Sequence, residues 1–328
     1  MKSKMLGALE VSPLGLGCMG MTGFYGQVDQ KQCVQAIHTA IENGITFLDT
    51  ADNYGFGANE TLVGTAIAAH PNKVSIATKV GVVTNKETPH LVSINGKAEY
   101  IKQQCANSLK RLGVSVIDLY YLHHLDRNTP IEETMHAMGR LVSEGLVRHI
   151  GLGEMGAQYI RRAHAVHPIT AVQAEYSLFS RMSEETILPL CKELGIGFVA
   201  CSPICRGLLS GKISSVQDLG PVDFRQKFPR FEPKNLSHNL SIVHSLQKIA
   251  DEKACSLSEL SLAWIAAQSP SIIPLFETTQ PSHVLENIKS SSVHLTRHDI
   301  DRMNEIVLKG VVHGDRHPEM AKKLYDHS

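Results

Sequence analysis

The sequence has no excess of charge of one sign. Of its 328 residues, 32 are basic and 32 are acidic. Chains that bind nucleic acid or an anionic membrane usually carry a basic excess. We therefore expect no nucleic acid and no membrane among its partners.

Long apolar runs are also missing. No stretch is long enough to cross a bilayer, and residues 1–7 lead into alternating residues and not into an apolar signal core. The cysteines are odd in number and scattered, at positions 18, 33, 105, 191, 201, 205 and 255. Such thiols are typical of a reduced cytosolic protein, so we expect a cytoplasmic location.

Metal-ligand patterns are absent despite 17 histidines. No His-Glu-x-x-His or Cys-x-x-Cys spacing occurs, and the adjacent residues His123 and His124 are expected to point to opposite faces of a strand. We expect no metal site. A metal-dependent barrel hydrolase, one alternative reading, needs ligands that these spacings do not offer.

One glycine-rich stretch lacks the context of a dinucleotide fingerprint. Residues 15–20 fit G-x-G-x-x-G, but the chain then stays in a predicted loop until about residue 29. A true fingerprint opens a helix at once and has an acidic residue about 20 positions later. Ile37, His38 and Thr39 occupy that region. The pattern therefore indicates a glycine-rich strand and turn, and not a Rossmann fold.

What the sequence does contain is a regular alternation of short β-type runs and amphipathic helices. The eight predicted strands are Leu14–Cys18, Ile45–Asp49, Val74–Lys79, Ile117–His123, Arg148–Leu152, Ala171–Glu175, Ile196–Ser202 and Ser271–Leu275. Eight such βα units favour a (β/α)8 TIM barrel over a doubly wound sheet. We expect one domain over residues 1–328.

Two additions to the barrel are predicted. A β-hairpin with Gly7-Ala8 as its turn precedes the first barrel strand. A polar, proline-containing segment, 211–237, follows the seventh strand as a long loop on the active-site face, before helical runs at 238–254 and 258–268.

Four polar residues fall at the carboxyl ends of successive predicted strands. Asp49, Lys79 and His123 close their strands, and Tyr54 lies in the loop after Asp49. Each has a structural explanation as a cap, a rim residue, an interface residue or a core histidine. In an α/β barrel, however, such residues meet over one cavity.

Together these four residues suit carbonyl reduction. A free tyrosine has a pKa near 10, and an ammonium group within about 4–6 Å favours the phenolate. Lys79 next to Tyr54 therefore makes the phenol a better general acid, while Asp49 holds Lys79 in place. His123 is expected to orient the carbonyl.

At these positions the sequence resembles the aldo-keto reductase superfamily. The run 49–55 (DTADNYG) looks like its tyrosine signature, Thr78-Lys79 like its lysine strand, and 118–126 (DLYYLHHLD) like its histidine strand. Further motifs match in order at 150–154, 172–177, 202–212 and 285–287. Residues 223–225 and 229–231 are similar to the branch with pyridoxal reductases and bacterial general aldo-keto reductases.

The resemblance implies an NAD(P)H-dependent oxidoreductase of aldehydes or ketones, with NADPH extended across the barrel mouth and a small-molecule carbonyl substrate. It implies that Gln173 binds the carboxamide and that Ser202 and Leu208 bind the pyrophosphate. Thr278, Glu286 and Asn287 match the adenosine end.

The sequence departs from the family pattern around the cofactor. Gly153 stands where a carboxamide-binding serine is usual, and Cys201 where an aromatic residue stacks on the nicotinamide. Phe276-Glu277 replaces Pro-Gly or Pro-Lys, and His283 replaces an arginine. A carboxylate near a 2′-phosphate is repulsive, which makes NADH possible. These changes leave open a second reading, a cofactor-sensing regulatory or interaction subunit with little turnover.

The sequence leaves the physiological substrate and the oligomeric state open. Residues around 24–28, 85–95 and 211–237 are expected to shape the substrate site, because they lie in predicted loops.

Overall fold

The structure is a computed structural model that describes residues 1–87 and 92–319. Its strands are β1 Lys4–Leu6, β2 Leu9–Val11, β3 Gly15–Gly17, β4 Phe47–Asp49, β5 Ser75–Val80, β6 Val82–Val83, β7 Ser93–Ile94, β8 Ile117–Leu122, β9 Val147–Gly153, β10 Ala171–Glu175, β11 Gly197–Cys201 and β12 Ile272–Glu277. Its α-helices are α1 Gln30–Glu42, α2 Ala58–Ile67, α3 Ala98–Leu112, α4 Ile131–Ser143, α5 Ala157–Val166, α6 Ile187–Leu194, α7 Pro233–Glu252, α8 Leu257–Gln268, α9 Pro281–Ile288 and α10 Arg297–Ile306.

Eight parallel strands close into a barrel in the order β10-β11-β12-β3-β4-β5-β8-β9. Helices surround it, and their apolar faces form one large core with the outer faces of the strands. The predicted (β/α)8 barrel is therefore confirmed. All strands point the same way, so their carboxyl ends form one mouth.

A hairpin closes the opposite end of the barrel. Strands β1 and β2 pair antiparallel, and Leu6 packs with residues of the barrel interior such as Phe47 and Tyr121. Gly7, in the turn, has a φ of 58°, and a Cβ there would lie 2.1 Å from the carbonyl oxygen of Thr170. Glycine is thus required both for the left-handed conformation and for the close approach. The predicted hairpin is confirmed.

The predicted strands differ from the observed ones only at their ends. The predicted strand 171–175 agrees with β10, and the others shift by one or two residues at one end or both. Residues 15–17 form a barrel strand, and α1 begins only at Gln30 after a short 3-10 turn, which confirms the rejection of a Rossmann fingerprint.

The segment after β11 is shorter and more ordered than predicted. Helix α7 begins at Pro233 and not near residue 238, because proline suits the first turn of a helix. Between β11 and α7 the chain forms short 3-10 helices at Cys205–Ser210, Val216–Asp218, Phe224–Lys227 and Pro229–Phe231. The prediction of one long loop over 211–237 was wrong in this respect.

No helix in the described ranges is both long and apolar enough to cross a membrane. The seven cysteines are free thiols.

Candidate active site

The predicted catalytic residues come from three neighbouring strands, β4, β5 and β8. Backbone pairing continues past the strand ends: the N–H of Asp52 donates to the carbonyl of Lys79 (3.1 Å), and that of His123 to Val80 (2.8 Å). These bonds fix the loops after β4 and β8 against β5. The backbone that carries the four side chains is therefore held in place at one edge of the barrel.

Asp49 and Lys79 form a buried ion pair at this edge. Their exposed fractions are 3% and 1%. The Lys79 ammonium contacts Asp49 Oδ1 and donates to the carbonyl of Thr50 (2.8 Å), while Gln173 Nε2 donates to Asp49 Oδ2 (2.8 Å). Burial raises the pKa of the Asp49 carboxyl, and the bonds from Lys79 and Gln173 act against that shift. The carboxylate thus holds the lysine with its hydrogen bonds satisfied.

Tyr54 lies over this ion pair in the 3-10 helix Tyr54–Gly57. The Lys79 Nζ atom is 5.2 Å from the centroid of the Tyr54 ring. The turn after Tyr54 is left-handed, with φ of 54° at Gly55 and 56° at Phe56. A Cβ at Gly55 would lie 2.9 Å from Thr22 Cγ2. Glycine at 55 therefore lets this turn bend tightly and bring Tyr54 to the lysine.

His123 stands at the edge of the Tyr54 ring. The ring centroids are 5.9 Å apart at an interplanar angle of 77°. The rings of His123 and His124 are stacked, 4.8 Å apart and 8° from parallel. The expectation that they point to opposite faces was wrong, because both follow the end of β8, where strand alternation no longer applies.

The histidine pair is uncharged near neutral pH. Burial, with the neighbouring His124 and Lys79, holds the pKa of His123 well below its usual range, and burial lowers the pKa of His124 to about 4. A neutral imidazole donates from only one ring nitrogen. Within residues 1–87 and 92–319 no group of three or more His, Cys, Asp or Glu side chains is arranged to hold a metal ion.

Two of the predicted carboxamide-binding positions lie beside the edge of the barrel formed by β4, β5 and β8. Gln173 on β10 pairs in register with Gly153 at the end of β9, and its amide donates to Asp49. A Cβ at Gly153 would lie 2.5 Å from the backbone oxygen of His123. The missing serine therefore has a steric reason, since no side chain fits here without displacing the histidine. Cys201 ends β11 and is partly exposed.

The predicted pyrophosphate loop has a strained backbone. After β11, φ is positive at Ser202 (50°), Cys205 (49°), Arg206 (54°) and Gly207 (92°). Leu208 is fully buried and anchors the loop in the core. Positive φ at three non-glycine residues is uncommon and costs free energy, which is typical of ligand-binding segments.

The predicted adenosine end lies after β12 and along α9. Thr278 Oγ1 accepts from the N–H of Gln280 (3.1 Å) and lies 3.4 Å from His283 Nδ1. Glu286 pairs with Lys212 (3.1 Å), and Asn287 is buried. The structure thus brings this set together, with Lys212 reaching it from the segment after β11.

Glu277 directly precedes Thr278 and lies at the barrel mouth. It ends β12 paired with Gly17, and its side chain packs over β3. Its carboxyl hydrogen-bonds Tyr25. Burial, with Asp49 nearby, raises its pKa to about 7.

A second polar cluster at the mouth was not predicted. Glu175 at the end of β10 is buried with Arg206 (3.0 Å) and Arg230 (3.4 Å). Arg316, near the end of the described chain, forms a bidentate pair with Glu154 (3.0 Å for both bonds). Only the positions of the two glutamates near strand ends could have signalled this cluster, because its arginines come from distant segments.

Two of the predicted substrate loops meet at the mouth. The ring centroids of Phe24 and Phe224 are 4.8 Å apart, and the Arg225 guanidinium lies 5.2 Å from the Tyr25 ring centroid. The third, 85–95, includes residues 88–91, which lie outside the described residues.

Comparison with known proteins identifies the family. The model of the Aldo/keto reductase family matches residues 13–308. The chain belongs to this family. A Glycine max protein described as a probable aldo-keto reductase is 44% identical over 310 residues, which are 94% of this chain and 89% of that protein.

Solved structures of aldo-keto reductases share the fold. A glycerol dehydrogenase from Gluconobacter oxydans superposes with a TM-score of 0.85 at 29% identity, covering 93% of this chain and 94% of that one. An aldo-keto reductase from Bacillus halodurans superposes with a TM-score of 0.78 at 28% identity, covering 94% and 97%. The chain is therefore an oxidoreductase of the aldo-keto reductase family on a TIM barrel.

Proposed function

We propose that this protein reduces aldehydes or ketones to alcohols with a nicotinamide cofactor, and that Tyr54 is the general acid. The observation that carries the proposal is the position of Tyr54 above a buried ammonium group and beside a neutral histidine. Residues 1–328 are proposed to act as one domain.

The proton is proposed to come from the Tyr54 hydroxyl. The substrate oxygen gains negative charge as hydride reaches the carbonyl carbon, and it needs a proton at that moment. The Lys79 ammonium stabilises the phenolate that remains on Tyr54. Asp49 keeps the ammonium in position, so this stabilisation is preorganised before the substrate binds.

His123 is proposed to orient the carbonyl. Its depressed pKa keeps the ring neutral, so that it can donate a hydrogen bond to the substrate oxygen without competing with Tyr54 as an acid. Its Nδ1 atom is buried without a hydrogen-bond partner in the described chain. An unpaired acceptor is less costly than an unpaired N–H, so the proton is expected on Nε2.

The mouth fits a nicotinamide nucleotide in most respects. The buried oxygen Asn53 Oδ1, next to Tyr54, has no hydrogen-bond partner within the described residues and is suited to a ligand amide or hydroxyl. Gln173 and the loop from Ser202 to Leu208 would hold the carboxamide and the pyrophosphate. When bound, the nicotinamide supplies the hydride. Glu277 is the group that fits least, because its ionised form would bring negative charge to the same side of the mouth.

The proposal is tested by replacing Tyr54→Phe. Loss of a general acid is expected to lower the rate of aldehyde reduction by about 10²–10⁴-fold. Cofactor affinity, measured by fluorescence quenching, should be retained because the ring and the ion pair remain. Tyr159→Phe, at a partly exposed tyrosine on α5 that belongs to neither the proposed catalytic set nor the proposed cofactor set, is the control and should reduce aldehydes at the normal rate.

A panel of aromatic and aliphatic aldehydes and ketones separates the enzyme from the alternative. If the unaltered protein binds NADPH or NADH tightly and reduces no member of the panel, the enzyme proposal is wrong. A cofactor-sensing regulatory subunit then becomes the better explanation, and the unusual Gly153 and Cys201 would fit it. Titration with both cofactors decides the preference between NADPH and NADH.

A further inference from the structure

Glu277 is a carboxyl group that the proposed chemistry does not use. It is the last residue of β12, and its Cγ lies 2.8 Å from where a Cβ on Gly17 would be. Its Oε2 lies 4.0 Å from the corresponding position on Gly20. Glycine at 17 therefore makes the space in which this side chain lies, and a Cβ at position 20 would only touch it.

The carboxyl of Glu277 is surrounded by mouth residues from four directions. Burial raises its pKa most and Asp49 on β4 adds to this, whereas Lys79 on β5, Arg206 after β11 and a hydrogen bond from Tyr25 lower it. None of the described cations lies within ion-pair distance of it. A partly buried carboxyl without a close cation keeps its proton more readily than one in water.

Its position puts Glu277 next to the proposed path of the cofactor. Thr278, at the proposed adenosine end, is the next residue, and the proposed pyrophosphate loop from Ser202 follows the neighbouring strand β11. A dinucleotide that reaches from one to the other passes over the end of β12. A carboxylate there repels the negative diphosphate, while a neutral carboxylic acid can donate a hydrogen bond to it.

We propose that Glu277 faces the bound cofactor as a neutral carboxylic acid, so that binding of the dinucleotide takes up one proton at this residue. The inference rests on the proposed function, because it requires that the mouth binds a nicotinamide nucleotide. It assigns to Glu277 a binding role that the matched motifs do not contain.

The direction of the pH dependence follows from linkage. The free protein has a Glu277 pKa of about 7, and the negative cofactor raises it further. Below about pH 7 the carboxyl is already neutral, and affinity is constant. Above it, each binding event must return a proton to the carboxyl. The Kd therefore rises by up to tenfold per pH unit until the pKa of the complex is reached.

The experiment is isothermal titration of the full chain with NADH and with NADPH between about pH 6.5 and 9. Each titration is run in two buffers of different ionisation enthalpy, which yields the number of protons taken up. Uptake should approach one proton above pH 7. The second pKa of the 2′-phosphate on NADPH is near 6. Subtracting the Glu277→Gln titration removes that contribution.

Two variants and one control make the assignment specific. Glu277→Gln should bind NADH with a Kd independent of pH, and it should bind either cofactor with no proton uptake from this group. Tyr25→Phe removes the hydrogen bond that favours the carboxylate, so the rise in Kd should begin at higher pH. Glu305→Gln, the same change at an exposed site on α10, should behave as the unaltered protein.

The possible failures are distinguishable. Tight binding with equal proton uptake in the unaltered protein and in Glu277→Gln overturns the inference and leaves the proposed function intact. Absence of binding at every pH, in both proteins, contradicts the proposed function and the inference together.

Discussion

At the scale of single residues, the site depends on a charge pair that is costly to bury. Asp49 and Lys79 are almost fully buried, and each compensates the charge of the other. Such a pair contributes little net stability relative to apolar residues, because desolvation offsets the attraction. Removal of one partner alone leaves the other charge buried, which is far more destabilising.

Lys79→Met is therefore expected to lower the free energy of unfolding by about 3–5 kcal/mol and to abolish reduction. The double variant with Asp49→Asn removes both charges and should regain most of that stability while staying inactive. Urea unfolding measures the stability of both variants, and aldehyde turnover measures their activity. Equal instability of the single and double variants would show that the charge pair is not the cause.

Asp52 allows a second test at this scale. It is buried, its Oδ1 has no hydrogen-bond partner in the described chain, and burial together with Glu60 raises its pKa to about 8. The folded protein thus holds a proton between about pH 4 and 8 that the unfolded chain releases. Folding stability must then decrease as pH rises through this window, by up to about 1.4 kcal/mol per pH unit from this group.

Asp52→Asn removes that contribution. The stability of the variant relative to the unaltered protein should grow from pH 5 to 8 and stay level above pH 8, as measured by urea unfolding at each pH. A difference that does not change with pH would mean that Asp52 is ionised in the folded state.

At the scale of strands and helices, the mouth depends on where strands end. Gly153 lets the end of β9 approach the backbone of His123, and Gln173 lies beside it on β10. A hydroxyl at position 153, usual in the family pattern, is excluded here by backbone packing. The histidine is thus held by a neighbouring strand as well as by its own.

Gly153→Ala tests this contact. Overpacking is expected to destabilise the protein by about 1–3 kcal/mol and to lower kcat/KM through displacement of His123. Gly220→Ala is the matched control, because a Cβ there meets nothing within 4 Å and its φ is not positive. It should leave unfolding and turnover nearly unchanged. Equal effects of the two changes would exclude a special role for Gly153.

At the scale of the whole molecule, the last described segment, 311–319, ties distant elements to the mouth. His313 exchanges two backbone hydrogen bonds of 2.9 Å with the side chain of Asn239 on α7. Arg316 then pairs with Glu154 after β9. This segment therefore links helix α7 to the end of β9 at the barrel mouth.

Arg316→Ala should release this segment. The side chains of Arg316 and Glu154 are only 14% and 15% exposed. Loss of this ion pair is therefore expected to lower the free energy of unfolding by about 1.5–3 kcal/mol and to speed amide exchange over 311–319. Arg161→Ala breaks a bidentate pair of the same type with Glu193, but both side chains are 56% exposed. Arg161→Ala should lower the free energy of unfolding by less than about 1 kcal/mol. Equal losses of stability in the two variants would mean that burial does not determine how much these ion pairs contribute.

Local sequence patterns were enough to predict the barrel, which the structure confirms, and to propose a catalytic set. Alternating apolar strands and amphipathic helices have periods that can be read locally, and Asp49, Lys79 and His123 follow directly from strand ends. Helix starts such as Pro233 were less predictable, because the chain after β11 is ordered by contacts with other loops.

What surrounds that set depends on tertiary packing. The stacking of His123 on His124, the exclusion of a side chain at Gly153 and the pairing of Arg316 with Glu154 depend on segments far apart in the chain. The same holds for Glu277, which directly precedes Thr278 in the chain and whose side chain packs over β3. Burial and distance set its charge, and neither quantity is encoded in local sequence.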